Sequence, residues 1–147
     1  MSADGQSIKE LHRGIIEGKT QEELDLLLWD AVLTYQDQTL HTLSGLEFSY
    51  TVKHKKNGEY SGELLVSRKE TSKTLTRSSV MLAFHKVLEQ IEITEKDGTV
   101  LFAPPSYKGP KAVGQIFGIS YIFSLFLEIG LIKTQTEISG KITKYKK

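Results

Sequence analysis

Apolar positions along this chain change period several times, and each change marks an element. Residues 8–17 carry a short helical pattern, with Ser7 placed to cap its start and Gly18 just past its end. A stronger helical signal follows. Thr20 stands three residues before Glu23, the spacing of a capping box, and Leu24, Leu27, Leu28, Ala31 and Leu33 then fall on or near one stripe. This predicts a helix over 21–35 that buries Trp29 or uses it at a helix–helix contact.

From Leu46 the period drops to two. Leu46, Phe48, Tyr50 and Val52 alternate with Glu47, Ser49, Thr51 and Lys53, and beyond Asn57-Gly58 the even positions Tyr60, Leu64 and Val66 continue the series. Residues 46–69 therefore predict a β-hairpin. A two-residue Asn-Gly turn would set Val52 opposite Glu63 and Phe48 opposite Ser67, splitting the apolar face. A three-residue loop, Lys56-Asn57-Gly58, instead pairs Lys55 with Glu59, Tyr50 with Leu64 and Phe48 with Val66. It also puts Gly58 at the left-handed position of a bulged loop, so this register is preferred.

Residues 68–74 read as a polar connection, after which Thr76 caps a helix over 77–90 with Val80, Phe84, Val87, Leu88 and Ile91 on its inner face. Residues 91–94 and 99–102 flank Glu95-Lys96-Asp97-Gly98 and predict a second hairpin. All three prolines lie in 103–110, the one obvious break.

Residues 112–132 are 21 positions holding one charge, Glu128, and one amide, Gln115. Three readings are open. The length meets the criterion for a membrane span, and Gly114 and Gly118 form GxxxG. Glu128 near one end and lysines on both flanks argue against it. In the second reading Pro110 opens a helix that runs to Phe117, the chain turns at Gly118-Ile119-Ser120, and a second helix runs over 120–129 to Gly130. Residues 131–137 and 141–146 then form a hairpin around Ser139-Gly140. In this order residues 110–147 resemble a winged helix-turn-helix, with Gly114 four residues before the turn glycine Gly118 and Val113, Phe117, Ile119 and Leu127 at interior positions. Ser124 departs from that pattern, standing where the family has an apolar residue. The resemblance implies DNA binding. In the third reading the helices are core, because the second one is apolar nearly all round. Its polar residues are Ser120, Tyr121, Ser124 and Glu128, and DNA contacts would then come from Lys108, Lys111 and the terminal lysines, directed to phosphate.

Composition narrows the classes. With 147 residues, 39% hydrophobic and 25% charged, the chain fits one globular domain rather than a disordered or collagen-like one. Its parts are an acidic helical segment (1–45), a hairpin–helix–hairpin segment (46–103) and a C-terminal segment (110–147) of helical core and basic tail. The fold class expected is α+β: N-terminal helices, a central hairpin packed on a helix, and a C-terminal helix pair followed by a short basic hairpin. No cysteine is present, so thiolate metal sites, disulfides and cysteine nucleophiles are excluded. The opening residues show neither the basic start nor the apolar run of a signal peptide, and a cytoplasmic protein is expected.

The formal net charge of +1 hides a gradient. Residues 1–45 have three basic against eight acidic side chains, a net of −5, whereas 53–77 and the last fifteen residues each carry +4. If those basic segments converge they make an anion-attracting surface. The cluster Arg68, Lys69, Ser72, Lys73, Thr76, Arg77, Ser78 and Ser79 joins a strand to a helix start, where backbone N–H groups and the helix dipole favour phosphate. Alternatively it is an ordinary capping loop whose cations pair with Glu63 or Glu70. His12, His41, His54 and His85 are scattered without metal-ligand spacing, and no Walker, dinucleotide or nucleophile-elbow motif occurs, so no cofactor and no enzyme chemistry are expected. The function expected is a nucleic-acid-binding or regulatory module contacting phosphates through Arg68, Lys69, Lys73, Arg77, Ser78, Lys108, Lys111, Lys141 and Lys144. The alternatives are a protein-interaction or homo-oligomerisation module using the apolar 117–132 surface, and a small phosphate-ligand-binding protein.

Overall fold

A computed structural model describes residues 6–69 and 71–134. It opens on two helices, α1 (Gln6–Glu17) and α2 (Gln21–Thr34). Both halves of the capping box form: the Glu23 N–H donates to Thr20 Oγ1 at 3.2 Å, and the Thr20 N–H donates to Glu23 Oε1 at 3.0 Å. Two of the donors that a helix start leaves open are thereby satisfied. Leu24, Leu28, Trp29, Ala31 and Val32 turn inward. Ser7 lies inside α1 rather than capping it, and its hydroxyl meets that of Thr34 at 3.0 Å, tying the start of α1 to the end of α2.

Strands β1 (Leu40–His41), β2 (Glu47–His54), β3 (Tyr60–Arg68) and β4 (Thr71–Leu75) make one antiparallel sheet in that order. At the β2–β3 turn the three-residue loop is present: the Lys55 N–H donates to the Glu59 carbonyl at 2.6 Å, and Gly58 has φ +88°. Farther from the turn the expected register is two residues out. Tyr50 faces Val66 rather than Leu64, and Leu64 faces Val52. An irregularity between Tyr60 and Leu64 takes up the difference. A slip of two returns every side chain to its original face, so alternation alone does not register it. Within this segment Gly62 has φ +90°, and a Cβ there would come within 2.8 Å of Arg77 Cδ, so the bare glycine lets the arginine stem lie on the strand.

Residues 68–74 are not a loop. The chain turns at Lys69, with φ +39°, and β4 returns along β3 with Lys73 opposite Val66 and Leu75 opposite Leu64. β4 is an edge strand whose residues are polar up to Leu75; pairing with β3 fixes it, which apolar periodicity does not report.

Helix α3 (Arg77–Leu88) starts at Thr76, whose Oγ1 accepts from the Ser79 N–H at 3.2 Å, and buries Val80, Met81, Ala83, Phe84 and Val87. Strands β5 (Glu92–Lys96) and β6 (Thr99–Ala103) form the second hairpin. Then come β7 (Ser106–Tyr107), a 3₁₀ turn at Pro110–Ala112, helix α4 (Ile119–Glu128) and β8 (Lys133–Thr134), which pairs with β7 in parallel. The helix expected from Pro110 to Phe117 is thus only that 3₁₀ turn. Val113 and Ile116 still turn inward, but Gly114 is extended and Gly118 left-handed, so the segment wraps the core without coiling. In place of the C-terminal helix pair there is one helix. Of the hairpin expected over 131–146, the described part pairs with β7 instead; the remainder, with Lys141 and Lys144, lies outside the described residues.

Phe48, Tyr50, Val52, Leu64, Val66 and Leu75 form the apolar face of the sheet, all buried. The Tyr50 hydroxyl donates to the Val32 carbonyl of α2 at 2.6 Å, and the Phe48 ring meets Tyr121 of α4 edge-on at 5.0 Å. Phe84 and Phe126 join α3 to α4 at 6.4 Å. The class is α+β, with helices packed on an antiparallel sheet around one contiguous core. Among the described residues no helix is long and apolar enough to cross a membrane, since 112–132 is divided between the 3₁₀ turn, a loop and the ten residues of α4.

Candidate functional site

Strand alternation builds one side of a cleft. By alternation one face carries Leu64, Val66 and Arg68 on β3 and Leu75, Lys73 and Thr71 on β4; Leu64, Val66 and Leu75 are buried, whereas Lys73 and Thr71 are exposed. The core-facing side of the sheet is therefore apolar at one end and basic at the other. Arg68 Nη1 donates to the Tyr121 hydroxyl oxygen at 3.0 Å, and Phe48 holds the Tyr121 ring in its T-shaped contact, so a buried tyrosine fixes where the guanidinium lies. Arginine is charged at any ordinary pH, and here it keeps further N–H donors beyond the one Tyr121 takes.

The start of α4 forms the other side. Gly118, at φ +74°, is its N-cap residue, and Leu75 packs so closely that a Cβ on Gly118 would collide with the leucine Cδ2. No side chain caps this helix; the Ile119 N–H donates to the Ile116 carbonyl at 3.1 Å and the Tyr121 N–H to the Gly118 carbonyl at 3.0 Å, and what the helix start offers the cleft is the positive end of its dipole beside Ser120. The turn between β1 and β2 closes the cleft with hydroxyls. Thr42 Oγ1 accepts from the Leu46 N–H at 3.1 Å and lies 2.9 Å from Ser44 Oγ. The resulting hollow of about 300 Å³ is lined by Thr42, Ser44, Arg68, Lys73, Ser120 and Tyr121 among others.

A second hollow of about 390 Å³ adjoins it, lined by Lys108, Lys111 and Ser120 with the backbone between the two lysines. Ser120 belongs to both, so Arg68 and Lys73 from the middle of the chain and Lys108 and Lys111 from the approach to α4 flank one helix terminus. Among the described residues no carboxylate lines either hollow. Glu47 enters at a neighbouring depression that it shares with Arg68 and Lys69, with its carboxylate 3.5 Å from His41 Nε2.

The other residues singled out from the sequence are placed elsewhere. Lys69 sits at the β3–β4 turn beside Arg68, outside the main cleft. Arg77 and Ser78 lie at the start of α3, where Thr76 already supplies the cap, and the Arg77 guanidinium lies over the Trp29 ring, 5.5 Å from its centroid. Neither lines the two hollows. Lys141 and Lys144 fall outside the described residues. Of the two acids expected to pair with these cations, Glu63 has Lys53 at 3.8 Å, and Glu70 lies outside the described residues.

Thr42, Ser44, Ser120 and Tyr121 belong to the cleft but were not among the residues the sequence singled out for binding. Ser120 and Tyr121 did leave a signal, as the only polar residues in the first turn of an apolar helix entered through a glycine. The 42–45 turn leaves none, because its hydroxyls face Arg68 only through the sheet. What these groups can do is hold an anion: cations and hydroxyls donate, the helix dipole points its positive end at them, and the Ser44 hydroxyl has Thr42 rather than a base as its neighbour. Among the described residues no three His, Asp or Glu side chains gather as metal ligands would. No protein-family model, curated protein or solved structure matches this chain.

Proposed function

We propose that this protein is a non-enzymatic regulatory module of the cytoplasm that binds nucleic acid mainly through its phosphate backbone. The observation that carries the proposal is the sharing of Ser120 between the Arg68–Lys73 hollow and the Lys108–Lys111 hollow. Two pairs of cations on either side of an uncapped helix start suit a chain of phosphates better than one isolated anion. Helix α4 does not serve as a groove-reading element in this proposal. Tyr121 to Phe126 are buried, and only Ser120 and Glu128 are exposed along it. Contacts are therefore to phosphate, with little base reading. Lys141 and Lys144, outside the described residues, would add further phosphate contacts on sequence alone. Fluorescence anisotropy of labelled DNA and RNA over a salt series tests the proposal. Binding should be present at low salt and weaken steeply as salt rises; no binding at low salt refutes it.

A second reading, a small phosphorylated ligand, is favoured by one feature. The Arg68 hollow is concave and rich in hydroxyls, and at about 300 Å³ it reaches the lower end of the small-molecule range. Calorimetry with inorganic phosphate and sugar phosphates separates the two, since a small-ligand site saturates with them at low concentration. Of the 117–132 surface that an interaction module would use, Tyr121 to Phe126 lie within the core and Phe117 is exposed.

A further inference from the structure

Phe117 is the one phenylalanine or tryptophan among the described residues that is largely exposed, at 58%. Its chain neighbours explain its position. Ile116 turns inward and is buried, Gly118 reverses the backbone in the left-handed region, and Phe117 between them is thrust outward. A single exposed apolar side chain needs no explanation by itself. The surroundings of this one are informative: Ile116 and Gly118 on either side of it both line the Arg68 hollow, and the Lys73 ammonium lies 5.2 Å from the ring centroid. The lysine that lines the phosphate cleft thus also steadies an aromatic ring at its rim.

We propose that the cleft takes single-stranded nucleic acid, one base stacking on Phe117 while the adjoining phosphates lie at Arg68 and the start of α4. This rests on the nucleic-acid reading above and narrows it. In a duplex the bases are stacked on one another and present only their edges, so an exposed ring beside the backbone has nothing to stack on. In a single strand each base offers a free face, and a basic groove with an aromatic platform is the general device for holding it. Lys108 and Lys111, lining the hollow that shares Ser120, continue the basic path for the adjoining phosphates. With α4 buried, this chain has no exposed helix among Ile119–Glu128 to lay in a major groove, which again favours the strand over the duplex.

The test is fluorescence anisotropy with a labelled twelve-base single strand, the same strand in a duplex, and an abasic strand of equal length, against the wild type, Phe117→Ala and Phe117→Trp. The single strand should bind about 10-fold or more tighter than either the duplex or the abasic strand, as base stacking on an aromatic requires. Phe117→Ala should lose about 10-fold on the single strand alone, and Phe117→Trp should retain binding, with its fluorescence quenched by the bound base. Phe117 is exposed, so unchanged circular dichroism and melting temperature will show that the variants are folded. Equal binding of all three nucleic acids, with Phe117→Ala indistinguishable from wild type, overturns the stacking proposal and leaves the phosphate-backbone reading standing. A mononucleotide that displaces the strand at the strand's own concentration range overturns the polymeric ligand. Absence of binding to every probe at low salt overturns both readings together.

Discussion

Arg68 is the side chain that joins the core to the cleft, since its guanidinium reaches Tyr121 from a position in register with Leu64 and Val66. Arg68→Ala should weaken oligonucleotide binding by about 10-fold, in the range of one lost charge-assisted contact, and Arg68→Lys should restore only part of it, because an ammonium is a single point charge without the guanidinium fork. Anisotropy titration of the two variants decides this. Gly118 meets two demands, a left-handed backbone and close contact with Leu75. Gly118→Ala should cost about 3 kcal/mol in urea unfolding, combining backbone strain with overpacking. His12 gives the chain a pH dependence away from the cleft. Its ring stacks on Phe102 at 4.6 Å, and Nε2 lies 3.0 Å from the Ile129 carbonyl, to which it donates as the neutral imidazole. Burial holds its pKa below the ordinary 6.5, the bond to Ile129 opposing the shift. The unfolded chain therefore takes up the proton first, and the contribution of His12 to stability is lost as pH falls below about 6.5. Urea midpoints at pH 7.5 and 5.5 should differ less in His12→Phe, which keeps the stack and cannot be protonated; an equal difference would show that His12 is not responsible.

At the scale of elements, the starts of α3 and α4 behave differently. The start of α3 is satisfied by its own cap, while the start of α4 has no side-chain cap and opens on the cleft. Thr76→Ala should destabilise the fold by about 1 kcal/mol and leave nucleic-acid binding unchanged. A loss of binding in that variant, with the fold intact, would return the site to the Arg77–Ser79 region. The same contrast explains what was legible in the sequence. The Thr20–Glu23 box, the Lys56-Asn57-Gly58 loop and the Thr76 cap were readable because each is completed by residues within a few positions of one another. β4 was not, because Thr71–Leu75 is held by pairing with β3 and has almost no apolar face to announce it. The Gly62 irregularity was invisible because a shift of two preserves every inward side chain. The expected helix at Pro110 failed because Val113 and Ile116 are three apart, as in a helix, although the glycines between and after them let the same two residues turn inward along an irregular path.

Across the whole molecule the acidic opening helices stay clear of the two basic hollows in the described fold. α1 and α2 carry most of the acids of the first third, and no residue of either helix lines the Arg68 or Lys108 hollow. Arg68, Lys73, Lys108 and Lys111 were each legible as basic residues of interest. Their convergence was not, because it depends on Leu75 seating Gly118 and so bringing the start of α4 beside β3 and β4, a contact 43 positions apart in the chain. Arg77 was equally prominent in sequence, yet Trp29 and the bare Gly62 draw it to a different surface. Clustering of these four cations is best measured as the slope of log Kd against log salt for a single-stranded oligonucleotide, comparing wild type with a variant in which Arg68, Lys73, Lys108 and Lys111 are all alanine. The slope should fall in magnitude by about 3 in the variant, as loss of four phosphate contacts to a single strand requires, while Arg77→Ala leaves it unchanged. Identical slopes for wild type and the fourfold variant would contradict the convergence of these cations on one bound backbone.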